Sequence, residues 1–252
     1  MTLLLELLAA LALVATMVLA MELGRRVGRR RLAADPENSH AGVGAIEAAV
    51  FGLLGLLLAF TFSGAWSRFD ARRELILQEA NAIGTAWLRL DLLPAGEARE
   101  LQADFRRYLD LRLELTRAGA TAPTTEMNAL QQRIWERVTA AAKAASDPRV
   151  TQSLLPAVNG MFDLATSRYV AAGTHPPRIV FATLFGLALG AAALAGYGMA
   201  PGRTRSWLHV VCFAGSLLAA IYVSLEMEYP RRGFIRLDHY DQVLVDLRAS
   251  LK

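Results

Sequence analysis

The chain contains four long blocks of apolar residues separated by polar segments. These blocks are Leu3–Met21, Val43–Ala65, Ile179–Met199 and Leu208–Leu225. Each is close to the roughly 20 residues that an α-helix needs to cross a hydrocarbon core about 30 Å thick. Backbone polar groups in lipid must be paired within their own segment, so these blocks predict helices. We therefore predict an all-α membrane protein with four transmembrane helices.

The polar segment between the second and third blocks has the periodicity of helices. Apolar residues such as Leu101, Phe105 and Leu109 recur at helical spacing. Breaks and caps divide the segment into a helix that ends at residues 93–96 and three more over about 97–117, 125–145 and 148–172. The second block has no proline or turn cluster after it. We therefore expect it to continue into the first insert helix, as one helix of roughly 45 residues.

The predicted organisation is two spans, a helical insert, two further spans and a tail. Its predicted domains are transmembrane helices 1 and 2 in residues 1–66, a soluble helical insert in 67–177, transmembrane helices 3 and 4 in 178–225 and a polar C-terminal tail in 226–252.

The second span carries very small side chains along one side. At 100° per residue, a sector about 100° wide contains what we call the small-residue face, made of Gly44, Ala45, Ala48, Gly52, Gly55, Ala59 and Ser63. Phe62 lies in the same sector, and Trp66 continues it one turn later. A face of this kind is typical either of close helix–helix packing or of a pore that narrows at a hydrophobic constriction.

The two aromatic residues allow two interpretations. Aromatic side chains at a membrane edge are often interfacial anchors, which suits Trp66. An anchor faces lipid, however, whereas Phe62 shares the sector of the glycines. If several copies turned this sector to a common axis, Phe62 would form an apolar ring that gates by dewetting. One chain with four spans is too small to enclose a pore, so the pore interpretation requires a homo-oligomer.

Other positions in the spans allow functional and structural interpretations as well. Glu47 lies one turn inside the second span, where an ionisable group is typical of an ion vestibule but can also reach the interface. Gly186 and Gly190 form a GxxxG pattern in the third span, for which helix packing is the ordinary role.

The charge distribution points to a membrane protein rather than to a nucleic-acid-binding one. The net charge is +4, but the basic residues are almost all Arg, as in GC-rich bacteria, and five of them follow the first span. A basic cluster beside a span is typically a topology signal or a contact to anionic lipid. We predict a multi-pass protein of the bacterial inner membrane, with the Arg-rich loop 24–42 in the cytoplasm and lipid as a partner.

Residue patterns for catalysis, metal binding or cofactor binding are missing from the sequence. The four histidines do not pair with Cys, His or carboxylates at metal-ligand spacing, apart from the Asp238–Asp241 segment, which fits a solvated surface. Nucleophile, phosphate-loop and dinucleotide motifs do not occur. Cys212 is the single cysteine and lies in the fourth span. We therefore expect no enzyme activity, no cofactor and no metal.

Three segments carry a family resemblance. Phe60–Arg72 resembles the end of the second transmembrane helix of bestrophins. Together with Glu79–Gly84 and Tyr229–Arg236, the region 53–73 resembles the bestrophin-like domain family of bacterial membrane proteins. The resemblance extends over nearly the whole chain, since the order of spans and insert also agrees.

The resemblance implies a homo-oligomeric, pentameric ion channel with the second span lining the pore. Phe62 and Trp66 are then the nearest equivalents of the hydrophobic neck. Ser63 and Gly64 replace the asparagine pair of bestrophins, and the acidic calcium-binding cluster of animal bestrophins has no match. Bestrophins keep the insert in the cytoplasm, whereas the position of the Arg-rich loop predicts that the insert lies outside. The ion selectivity of bestrophins varies. The competing hypothesis is a non-conducting scaffold whose insert docks a partner protein.

Overall fold

The computed structural model describes residues 2–36, 43–202, 206–231 and 234–251. Within these ranges the chain is helical and contains no strand. In chain order the helices are α1 (Thr2–Ala34), α2 (Val43–Arg89), the short 3-10 helix Leu90–Leu92, α3 (Ala95–Arg117), α4 (Thr125–Ala144), α5 (Pro148–Gly173), α6 (Arg178–Gly198), α7 (Trp207–Glu228) and α8 (Asp238–Ser250). Four helical segments are long and apolar enough to cross a membrane. The predicted all-α membrane fold is confirmed.

The long helix predicted to leave the second span is confirmed. α2 runs without interruption from Val43 to Arg89. The short 3-10 helix follows it directly, and Pro94 then precedes α3. The insert helices also begin and end close to the predicted positions. At the start of α5 the Asp147 side chain accepts a hydrogen bond of 2.9 Å from the Arg149 amide, and Pro148 is the first helical residue.

The Arg-rich segment differs from the prediction. α1 extends to Ala34, so the first part of the predicted loop 24–42 is helical, and residues 37–42 lie outside the described ranges. Arginine has a high helix propensity. Arg25 and Arg29 each also donate a hydrogen bond to the Gly202 carbonyl, at 3.1 and 3.4 Å. The turn after α6 therefore binds the basic end of α1.

The predicted polar tail also contains a helix. α8 buries Leu244, and Arg248 forms two hydrogen bonds, of 2.8 and 3.0 Å, with the Asp110 carboxylate on α3. This end of the chain belongs to a folded unit.

The chain divides into two compact units. The membrane unit comprises Met1–Ser67 and His175–Phe234, and the insert unit comprises Arg68–Thr174 and Ile235–Lys252. The membrane boundaries at residues 66, 177 and 225 stay predictions.

Within the membrane unit, α1 and α6 pack backbone to backbone. A Cβ atom on Gly24 would lie 1.8 Å from the Ala193 carbonyl oxygen, and one on Gly196 would lie 1.9 Å from the Met21 carbonyl oxygen. Side chains at these two positions are thus excluded by the close approach of the helices. Around this contact, the core contains Met17, Met21, Leu184, Ala188, Ala191 and Ala192.

Within the insert unit, a buried ion cluster joins three helices. Glu79 on α2 accepts hydrogen bonds of 2.7 and 2.9 Å from Arg112 on α3 and also binds Arg168 on α5. Arg112 lies over the Tyr169 ring, 4.6 Å from its centroid. Burial alone would raise the pKa of Glu79, but the two guanidinium groups hold it below its ordinary value.

We predict that Gly196→Ala destabilises the membrane unit, because the added methyl group overlaps the Met21 carbonyl oxygen. Overpacking of this kind costs about 1–3 kcal/mol, so the thermal unfolding midpoint in detergent should fall. Gly215→Ala on α7 is the matched control, because its Cβ would meet no atom within 4 Å. Equal midpoints for the two variants would contradict the close α1–α6 contact.

We predict that Glu79→Gln destabilises the insert unit by about 3 kcal/mol or more, because Arg112 and Arg168 lose their buried counter-charge. The lowered pKa of Glu79 means that its stabilisation is complete above the ordinary value of 4.5 and disappears as the pH falls through the folded-state value. Acid unfolding, followed by tryptophan fluorescence, should lose part of its pH dependence in this variant. The exposed Glu136→Gln is the control and should behave like the wild type.

Candidate functional site

α2 packs only one of its sides against the rest of the membrane unit. Leu54 lies in the core shared by α1, α6 and α7, and Val50, Phe51, Leu57 and Leu58 pack against that core. The Phe51 ring meets Phe213 of α7 edge to face, with 5.9 Å between ring centroids. These large apolar residues occupy one sector of the helix, so they determine which side of α2 is buried.

The small-residue face is on the exposed side. Its members are all exposed in the chain: Gly44, Ala45, Ala48, Gly52, Gly55, Ala59 and Ser63. A Cβ atom added at Gly44, Gly52 or Gly55 would meet no atom within 4 Å. The small side chains therefore do not serve helix packing within one chain. Contact with another chain and the lining of a pore both remain compatible with this exposure.

Phe62 and Trp66 share this exposed side. Phe62 is 42% exposed and Trp66 is 51% exposed, one helical turn further along. A second exposed sector of α2 carries bulky side chains and is called the large-residue face; it consists of Ile46, Leu53, Leu56 and Phe60. Phe60 and Phe62 are thus both exposed but point to different sides of the same helix, about 160° apart.

Glu47 lies at the border of the packed side. Its side chain is half-buried, and the Oε1 atom would lie 3.0 Å from a Cβ placed on Gly198, at the end of α6. Among the described residues, Oε1 has no hydrogen-bond partner although it is buried. The structure thus places the carboxylate against α6 and away from the small-residue face. A vestibule role for Glu47 stays a prediction.

The two glycines predicted to pack the third span are exposed. Gly186 and Gly190 lie on α6, and added Cβ atoms there would meet nothing within 4 Å. Their predicted packing role stays a prediction, and within this chain the close contact uses Gly24 and Gly196 instead. A signal for this contact was present in the sequence, since Gly24 and Gly28 are four residues apart.

The sequence predicted Glu226 and Glu228 to lie in the polar tail, but the structure buries both carboxylates at the end of α7. Glu228 is fully buried, and its Oε1 atom lies 2.9 Å from His175 Nδ1. The Phe234 amide donates a hydrogen bond to Glu226. The His175 ring also stacks on Tyr229, with 4.6 Å between centroids. These contacts all lie inside the membrane unit.

Within the described residues, no group of three or more His, Cys, Asp or Glu side chains could hold a metal ion. Cys212 is exposed on α7. The candidate site is the exposed side of α2, where the small-residue face lies together with Phe62 and Trp66.

Comparison with known proteins agrees with this architecture. The model of the Bestrophin-like domain family matches residues 5–239. Two crystal structures of point mutants of a bacterial bestrophin homologue from Klebsiella pneumoniae are similar to this chain, with TM-scores of 0.68 and 0.70 at 13% identity. They cover 93% and 95% of this chain and 99% and 100% of their own. No curated protein matches the sequence.

Proposed function

We propose that this chain, which belongs to the Bestrophin-like domain family, forms a homo-oligomeric ion channel in the bacterial inner membrane. The family resemblance implies five copies around one axis, with α2 lining the pore. The observation that carries the proposal is the exposure of the whole small-residue face, together with Phe62, on a helix that packs only one of its sides within the chain.

The two exposed faces of α2 suit different surroundings. The large-residue face presents Leu and Phe side chains, which lipid or a neighbouring copy can cover. The small-residue face presents little side chain, and glycine leaves backbone carbonyl groups close to the surface. The helix already pairs these carbonyl groups, but each keeps a second lone pair that can accept a hydrogen bond from water, which lipid does not supply. In the proposed channel this face, from Gly44 to Ser63, therefore lines the wide part of the pore.

Phe62 supplies the constriction of the proposed pore. One ring from each copy would form an apolar collar, and a collar that is too narrow and too apolar to stay wet blocks ions by dewetting. Trp66 would form a second collar one turn later. Glu47 and the α6 glycines, Gly186 and Gly190, keep their predicted roles as vestibule and packing positions.

The test is ion flux through the purified protein in liposomes, with the oligomeric mass measured on the same sample. We predict that Phe62→Ala raises the flux because the collar is removed, while the oligomer stays intact. Phe60→Ala is the matched control, because it removes the same ring from the other exposed side of α2. It should leave the flux at the wild-type level.

Three outcomes would contradict the proposal. Equal flux from both phenylalanine variants would show that Phe62 does not line the conduction path. An intact oligomer without flux, in the wild type and in both variants and under several ion gradients, would favour the non-conducting scaffold, with the insert as a docking domain. Loss of assembly in Phe62→Ala alone would assign the small-residue face to subunit packing.

A further inference from the structure

The exposed side of α1, in the membrane unit, changes from apolar to basic near the end of the first span. Leu8, Leu19 and Leu23 are each more than half exposed. Arg26 and Arg30 follow them along the helix and are exposed as well. At 100° per residue, these five side chains fall within one sector about 60° wide. We call this sector the leucine–arginine stripe.

The opposite side of α1 is packed against α6. Met17 and Met21 lie in the buried core. Added Cβ atoms on Gly24 and Gly28 would lie 1.8 and 2.9 Å from backbone carbonyl oxygens of α6. These four residues are centred about 160° around the helix from the leucine–arginine stripe. The close contact with α6 therefore determines that the stripe faces away from the rest of the membrane unit.

A second arginine pair on α1 shows how two guanidinium groups at this spacing bind oxygen. Arg25 and Arg29 precede Arg26 and Arg30 by one residue each. Both donate from Nη2 to a single acceptor, the Gly202 carbonyl oxygen, at 3.1 and 3.4 Å. Residues four apart are neighbours on a helix surface, so their guanidinium groups can converge on one oxygen atom. Arg26 and Arg30 repeat this spacing on the exposed side of the helix.

The basic end of α1 carries more positive charge than its own carboxylate neutralises. Between Glu22 and Ala34, five residues are arginine and Glu22 is the one acidic residue. Arg26 Nε donates a hydrogen bond of 3.1 Å to the Glu22 carboxylate. Like charges four residues apart destabilise a helix, and an anion placed between Arg26 and Arg30 relieves that repulsion. The pair is therefore suited to an acceptor with several oxygen atoms and a negative charge.

We propose that Arg26 and Arg30 bind the phosphate group of an anionic phospholipid, whose acyl chains lie along Leu19 and Leu23. α1 is long and apolar enough to cross a membrane, so lipid is the medium at its exposed side. Phosphate oxygens accept strong charge-assisted hydrogen bonds from guanidinium groups. Leu19 precedes Arg26 by seven residues, or about 10 Å along an α-helix, which places the leucines beside the acyl chains.

The chemistry of the site favours an anionic headgroup over a zwitterionic one. Both kinds of phospholipid contain a phosphate group, but a zwitterionic headgroup brings its own ammonium group beside the surplus guanidinium groups of α1. Phosphatidylglycerol lacks that cation, so it gains the attraction without the repulsion. This lipid site is independent of ion conduction, because it requires only that α1 crosses the membrane.

The experiment measures lipid binding to the purified full-length protein by native mass spectrometry. The probes are phosphatidylglycerol and phosphatidylcholine with the same acyl chains, and we predict that the wild type prefers phosphatidylglycerol. Arg30→Gln should lower the affinity for phosphatidylglycerol about fivefold, and the double variant with Arg26→Gln about 25-fold. Arg31→Gln is the matched control. It removes an exposed arginine beside the site, but one that lies about 100° around the helix from Arg30, so the preference should persist.

Thermal unfolding gives a second measurement. A ligand stabilises the folded state that it binds, so phosphatidylglycerol should raise the unfolding midpoint of the wild type but not that of the double variant. Without lipid the two proteins should unfold at the same midpoint, because both arginines are exposed.

Three outcomes would overturn the proposed lipid site. An equal loss of affinity in Arg31→Gln would show a diffuse attraction to the charge of the whole segment. Displacement of the lipid by excess inorganic phosphate would assign Arg26 and Arg30 to a soluble anion. An intact oligomer that binds no phosphatidylglycerol would show that another copy of the chain covers the leucine–arginine stripe. None of these outcomes decides whether the protein conducts ions, so the channel proposal is tested separately.

Discussion

The central constraint on this protein is that the apolar block of α2, Val43–Ala65, packs only one of its sides within the chain. Leu54 and its neighbours bury one sector against α1, α6 and α7. The remaining surface has to be covered by something outside the chain. Lipid can cover the large-residue face, but it gains little dispersion energy from glycine and alanine. The small-residue face is therefore the part of the structure that is best suited to water or to a second copy of the chain.

The same helix connects this constraint to the insert. α2 continues beyond the apolar block to Arg89, and within the insert unit it is held by buried charges rather than by apolar contacts alone. Glu79 binds Arg112 and Arg168, and Arg72 binds the carbonyl groups that end α5. Buried ion pairs add little net stability but penalise strongly any arrangement that separates them. They are well suited to fixing which residues of α2 remain exposed, because rotation of the helix would separate the buried charges from their partners.

Much of the fold could be predicted because the signals are local. The absence of proline after Ala65 predicts the length of α2, and Asp147 with Pro148 predicts the start of α5. The small-residue face followed from helical spacing, but its exposure did not, since both sides of α2 are apolar and burial depends on which side meets α6 and α7. For the same reason, the sequence could not distinguish Gly186, which is exposed, from Gly196, which makes the close contact with α1. Arg25 and Arg29 were predicted to lie in a loop, because a local pattern does not reveal their partner, the Gly202 carbonyl, which is 173 or more residues away.

The proposed role of Phe62 depends on a short-range physical effect. Dewetting depends on the width and apolarity of the collar over a few ångströms and is insensitive to salt. A change at Phe62 should therefore alter how much current flows without altering which ion carries it. Charged residues at the protein surface act instead through a screened field, which weakens as salt is added. Salt dependence therefore distinguishes a change at the collar from a change in surface charge, even where the variants differ in how well they assemble.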